Sequence, residues 1–199
     1  MTNTQLYYSL VKEFHTQFAV KSFSAPSKVP PKVADSRIRL IEEEEREYNV
    51  ALAAKNKLET LDGLCDLCYV VAGSMHVFGI QPIPYSAHSP QTATTIIREV
   101  TAVVDELGLT MPCIKRLTRH TNELIQLIDD IGLSIATDFP AAYQAVHENN
   151  MEKLWPRRPE NPELIIAPAR NGKYLVRDKN LKIIKPPDHK KVDLTPFVK

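Results

Sequence analysis

Two acidic stretches carry the clearest chemistry in this sequence. The first reads Glu42-Glu43-Glu44-Glu45-Arg46-Glu47, and the second reads Glu59-Thr60-Leu61-Asp62-Gly63-Leu64-Cys65-Asp66. On a helix, Glu43, Glu44 and Glu47 are related by three- and four-residue steps, so their carboxylates project from one side, beside an apolar stripe. Like charges so placed repel. Clustered carboxylates next to a core are tolerated where a divalent cation neutralises them, and hard oxygen ligands are what Mg²⁺ prefers. A glutamate run without such context is a solvated helix face, which is the reading for Glu42 and Glu45.

The same steps put Glu59, Asp62 and Asp66 on one face of a following helix. Asp66 stands inside the apolar run Leu64-Cys65-Asp66-Leu67-Cys68-Tyr69-Val70-Val71, where an unpaired carboxylate is costly. Two accounts are open. Asp66 is salt-bridged to an arginine such as Arg39 or Arg46, or two antiparallel helices joined near Lys55–Lys57 bring both acidic faces together as a metal cage. Cys65-x-x-Cys68 falls within a helix with no second such pair, so buried thiols account for it better than zinc or redox chemistry.

Helical periodicity supplies the elements that position these groups. Leu6, Leu10, Val11, Phe14 and Phe18 predict an amphipathic helix over Thr4–Phe18. A proline-containing loop, Ser22–Pro31, leads to a second helix over Ser36–Lys55, with Asp35 or Ser36 as its N-cap and Ile38, Ile41, Tyr48 and Leu52 as core positions. A third, strongly apolar helix covers Leu58–Phe78 and stops at Gly79. After a proline-rich connection, Gln81–Pro90, three more helices are expected over Ala93–Leu107, Pro112–Gly132 and Phe139–Leu154. Beyond Trp155 the texture becomes that of an extended arm. Asn171-Gly172 and Lys179-Asn180 read as turns flanking β-like pieces, Tyr174–Val176 and Leu181–Ile184, enough for one hairpin. The division expected is 1–155 as an all-α catalytic domain and 156–199 as the arm.

Bulk properties bound the rest. The 199 residues are 43% hydrophobic, enough for one sizeable core but not for two large independent ones. A net charge of +1 offers no global field to recruit nucleic acid or a membrane surface. Three cysteines make no disulfide framework, the first residues lack the basic start and apolar run of a signal peptide, and no apolar stretch approaches a bilayer span. A cytoplasmic protein without nucleic-acid or membrane partners is expected.

Arg39-Leu40-Ile41-Glu42-Glu43-Glu44-Glu45-Arg46-Glu47, followed by Asp66-Leu67-Cys68-Tyr69-Val70-Val71, resembles the EExxE and ExxD signature of the all-α nucleotide pyrophosphohydrolases, the superfamily of MazG and phosphoribosyl-ATP pyrophosphohydrolase. Val11–His15 resembles the opening helix of that group. Val146–Leu154, and Tyr174–Lys185 with Pro186 and Val192-Asp193-Leu194, resemble the closing helix and tail of the MazG-like proteins of phages and bacteria. Two departures stand out. Gly63 occupies the position of the usual second-motif glutamate, leaving Asp62 or Glu59 to replace it, and Pro82–Asn122 is an extra segment.

The resemblance implies an all-α MazG-like bundle with Mg²⁺, or Mn²⁺ in its place, as cofactor. It implies cleavage of a nucleoside triphosphate to monophosphate and pyrophosphate. Glu43, Glu44, Glu47 and Asp66 are the implied catalytic and metal-binding groups, with Asp62 or Glu59 completing the set. Phe14, His15 and Tyr69 are candidates for the nucleobase, and Asn150, Lys153 and Lys185 for the phosphates. A purine such as dGTP is the first expectation, with dUTP or dCTP next, and the assembly expected is a homodimer or homotetramer. From a different class, the glutamates could form the docking face of a non-catalytic helical module, which predicts no metal dependence.

Overall fold

The computed structural model describes residues 1–83, 93–109 and 112–199, and among them six α-helices form the body. Helix α1 spans Asn3–Gln17 and opens with a reciprocal cap, in which Thr2 and Gln5 satisfy each other's backbone N–H. Helix α2 spans Pro31–Ala53 and starts five residues before Ser36, its expected first residue. The cause is Pro31 at the first helical position, where its fixed φ fits and its missing N–H costs nothing. Asp35 and Ser36, expected to cap this helix, therefore lie inside it. Helix α3, Lys57–Phe78, is capped by the Asn56 side chain, which accepts from the Glu59 N–H at 3.2 Å, and ends on Gly79 with φ of 70°. A Cβ on Gly79 would sit 1.9 Å from the Ala25 carbonyl oxygen, so this crossing of loop and helix end requires glycine.

Helix α3 is the hub, packing against α1, α2, and the later helices α5 (Ile114–Ile135) and α6 (Phe139–Met151). Sixteen of its residues are buried, and 83% of its most apolar window lies inside the fold. It is long and apolar enough to cross a bilayer, contrary to the expectation from sequence, but here its apolar surface is spent on neighbouring helices. Helix α4 (Ala93–Gly108) packs on α2 and α5, so part of the extra segment adds a layer over the second helix. The remainder of the proline-rich connection, residues 84–92, lies outside the described residues. Leu52, expected in the core, is 40% exposed because it falls in the last turn of α2, beyond the reach of α3.

The arm forms a two-stranded antiparallel sheet, but not the expected one. Strand β1 (Ile165–Pro168) pairs with β2 (Tyr174–Arg177) in the register Ile165↔Arg177 and Pro168↔Tyr174. Asn171-Gly172 makes the turn, with φ of 56° and 69°. Leu181–Ile184 contributes only a bridge between Arg177 and Ile183. The reason lies in side chains rather than turns: Trp155 pairs its backbone with Tyr174 and donates its indole N–H to the Ile184 carbonyl at 2.7 Å. The second piece thus meets only the end of β2, where the Ile184 N–H donates to the Val176 carbonyl at 2.9 Å, and continues past it to Trp155. Arg177 donates to the Phe18 carbonyl at 2.6 Å, fastening the sheet to the end of α1. Phe18, Leu154 and Leu175 form a small core beneath it, while Leu194 belongs to the main core.

Candidate active site

Helices α2 and α3 run antiparallel across the short turn between them, and α1, α6 and the arm close the groove beside them. The result is a cavity of about 360 Å³. Glu44 from α2 and Asp66 from α3 line one end. Burial raises the pKa of the Glu44 carboxyl well above the ordinary range, and the negative charges of Asp66, Glu47 and Glu43 raise it further, against the pull of Lys182. Asp66, half-buried at the cavity wall, is raised by burial and then by Asp62, with Lys153 opposing. Carboxyls that hold protons toward neutrality are poised to exchange them for a cation.

The other acidic residues sit around this pair. Glu43 is ion-paired to Lys182 at 2.6 Å. Glu47 is exposed, yet its charge acts on both Glu44 and Asp66. Lys191 of the arm bridges Glu59 at 2.7 Å and Asp62 at 3.1 Å. Asp62 is the less exposed of that pair and the largest source of repulsion on Asp66. Asp66 makes no ion pair with Arg39 or Arg46 among the described residues. Its counter-charges are Lys153 and Lys191, brought from far along the chain. Glu42 is exposed, and Glu45 accepts from the Asn49 side chain at 3.2 Å, away from the site.

Lys153 and Lys182 line the cavity beside the acids. Lys153 has its pKa lowered by burial, although Asp66 and Glu44 favour its charge. Lys185 is exposed and outside the lining, close enough to Lys153 to disfavour that charge. Asn150 is buried in the wall, hydrogen-bonded to the Tyr69 hydroxyl. The Tyr69 hydroxyl also meets His147 Nδ1 at 3.0 Å. Lys182 and Lys191 were invisible to sequence reasoning, because each looks like an ordinary arm lysine until the arm folds back on the acidic helices.

At the opposite end the lining is mostly apolar. Phe14 stands edge-on to Tyr69 with ring centroids 5.5 Å apart and stacks on Phe18 at 4.2 Å. His15, Arg37 and Gly73 complete this end. The two ends are two turns apart on both helices: Arg37 precedes Glu44 by seven residues on α2, and Gly73 follows Asp66 by seven on α3. At 1.5 Å per residue this is a separation of roughly 10 Å along each axis.

Residues 11–88 match the model of the phosphoribosyl-ATP pyrophosphohydrolase family. The matched family is one of the MazG-like nucleotide pyrophosphohydrolases. The matched stretch holds the second half of α1 and all of α2 and α3, hence both acidic motifs. No curated protein and no solved structure matches the chain. The matched stretch supplies the acids, whereas the cationic wall comes from outside it, from Lys153 just beyond α6 and from the arm.

The donor set of the matched stretch fits a hard divalent cation: side-chain oxygens from two facing helices, partly desolvated and mutually repelling. Among the described residues, a trio with ligand atoms already within 4.8 Å of one another occurs elsewhere, at Glu99, His120 and Glu123. Arg98 on Glu99 at 3.0 Å and Arg119 beside Glu123 at 4.0 Å already supply cations to that trio. It is accounted for as an ion-pair network between α4 and α5.

Proposed function

We propose that the protein is a divalent-metal-dependent nucleoside triphosphate pyrophosphohydrolase, cleaving the α–β anhydride to release a nucleoside monophosphate and pyrophosphate. The observation that carries this reading is the pairing of Glu44 and Asp66 at one end of a cavity, with proton affinity raised by burial and mutual repulsion and with Lys153 and Lys182 alongside. Glu44, Glu47 and Asp66 are the residues that would hold Mg²⁺ or Mn²⁺. Asp62 is favoured over Glu59 to complete the set by its stronger electrostatic coupling to Asp66. When bound, the metal supplies charge neutralisation for the triphosphate and acidifies the attacking water.

The chain's own groups do the rest. Glu43 is placed to accept the proton of the attacking water once Lys182 turns from it to phosphate. Lys153 and Lys182 meet the charge that develops on the departing pyrophosphate, and Asn150 orients a phosphate oxygen as hydrogen-bond donor. The apolar end takes the nucleoside, with Phe14 and Tyr69 against the base.

The test is direct. Each ribo- and deoxyribonucleoside triphosphate, and a phosphoribosyl nucleotide because of the matched family, is incubated with the protein with and without Mg²⁺ or Mn²⁺. Monophosphate and pyrophosphate are then assayed. Metal-dependent pyrophosphate release from at least one nucleotide is expected, and its absence from all of them overturns the proposal.

A further inference from the structure

We infer that Arg37 and His15 select the nucleobase by its hydrogen-bonding edge, admitting bases with a ring N–H beside a keto oxygen (guanine, hypoxanthine, uracil) and rejecting the amino bases adenine and cytosine. This rests on the triphosphate reading above and concerns the far end of the same cavity.

Arg37 is the unusual residue. It lines a largely apolar recess with no carboxylate at ion-pair distance among the described residues. Its Nε donates to Ser74 Oγ at 3.0 Å and its Nη2 to the Val70 carbonyl at 2.5 Å. A guanidinium carries five N–H donors, so three remain for a ligand, the second hydrogen of Nη2 and both of Nη1. Burial lowers its pKa only to about 10, leaving it a cation at neutral pH. An unpaired buried cation is costly, and a carbonyl oxygen delivered by a ligand offsets part of that cost.

His15 provides the complementary acceptor. The Ser22 hydroxyl lies 3.3 Å from the Val20 carbonyl and 2.8 Å from His15 Nδ1, and when it donates to the carbonyl it accepts from Nδ1. That bond places the proton of a neutral imidazole on Nδ1 and leaves Nε2 as a lone-pair acceptor. Burial and the neighbouring Arg37 charge push the imidazole far below the usual histidine range, which keeps it neutral. Donor and acceptor stand together against α3 on the cavity wall: a Cβ on Gly73 would lie 2.7 Å from Arg37 Nη2 and 3.2 Å from His15 Nε2. Glycine at 73 lets both groups take these places, whereas a side chain there would push the guanidinium aside.

Guanine presents O6 to Arg37 and N1–H to His15, and its N7 offers the guanidinium a second acceptor. Adenine reverses both bonds, setting an amino group against a cation and a ring lone pair against a lone pair. The two-turn offset from Arg37 to Glu44 spans the nucleoside between base edge and phosphates.

The experiment compares kcat/KM for dITP and dATP, which differ only at this edge, together with dGTP, dUTP and dCTP, for the wild type, Arg37→Met and His15→Phe. The wild type is expected to prefer dITP over dATP by at least about tenfold, and each variant to bring the ratio to within about threefold. Comparable wild-type turnover of dATP and dITP overturns the inference, as does a ratio unchanged in folded Arg37→Met. If a variant fails to fold, the wild-type ratio and the milder Arg37→Lys decide. Metal-dependent cleavage of all five nucleotides at similar rates sinks this inference while leaving the proposed activity standing. Cleavage of none sinks the activity itself.

Discussion

Gly63 of α3 lies directly against the backbone of Tyr48 of α2: a Cβ at position 63 would stand 2.9 Å from the Tyr48 Cα. The glutamate expected in the second acidic motif thus has no room here, because the two helices approach closely where it would emerge. Gly63→Ala must push backbone rather than a flexible side chain, so a loss of about 1–3 kcal/mol is expected in urea unfolding. Gly63→Glu should cost more and gain no metal affinity. Unchanged stability in Gly63→Ala would mean that the helices do not approach this closely.

Glu47→Gln should lower kcat by at least about a hundredfold while the circular dichroism spectrum stays the same, since Glu47 is exposed and bears no packing role. Glu44→Gln should be equally inactive, yet its metal-free form should melt at a higher temperature than wild type. The amide removes a buried carboxyl that three neighbouring carboxylates repel. An active Glu47→Gln enzyme would show that the acidic motif has been assigned in the wrong register.

The lysines of the cavity differ in what they should do. Lys153→Met and Lys182→Met are each expected to raise KM for the triphosphate by about tenfold or more, the usual weight of a hydrogen bond to a charged group. Lys185→Met should change KM less than about threefold, because Lys185 is exposed and outside the lining. Equal effects at all three positions would argue for a diffuse field instead of defined contacts.

Acid should destabilise the fold through its buried histidines. His15 and His76 both have their pKa lowered, chiefly by burial. As pH falls below about 6.5 the unfolded chain takes up these protons and the folded chain does not, so the unfolded state binds more and stability declines. Each group contributes a slope of at most about 1.4 kcal/mol per pH unit. His15→Gln should therefore show a shallower fall in unfolding free energy between about pH 6.5 and pH 5. Parallel curves for variant and wild type would exclude His15 as a contributor.

The helices were legible in the sequence because apolar periodicity and stop signals are local: α3 was expected to end at Phe78 before Gly79, and it does. The start of α2 was misplaced because Asp35 and Ser36 looked like caps, while Pro31 gave the truer signal. The hairpin is legible only in part: residues 182–184 do meet the end of β2, but its longer partner, Ile165–Pro168, lies in a proline-rich stretch that shows no strand pattern. In the site, Glu44 and Asp66 could be placed together from spacing and an out-of-place charge. The residues that the arm and loop bring to them, Lys182 on Glu43, Lys191 on Asp62 and Ser22 on His15, depend on tertiary contacts that no local pattern encodes.

The seven-residue offsets on α2 and α3 act as paired rulers. One residue inserted or deleted between Arg37 and Glu44, or between Asp66 and Gly73, would swing one end of its helix by about 100° relative to the other. Diversification of this cavity is thereby confined to exchanges of side chains at fixed length. Helix α4, which packs on α2 from beyond α3 in the chain, can change length without altering either ruler.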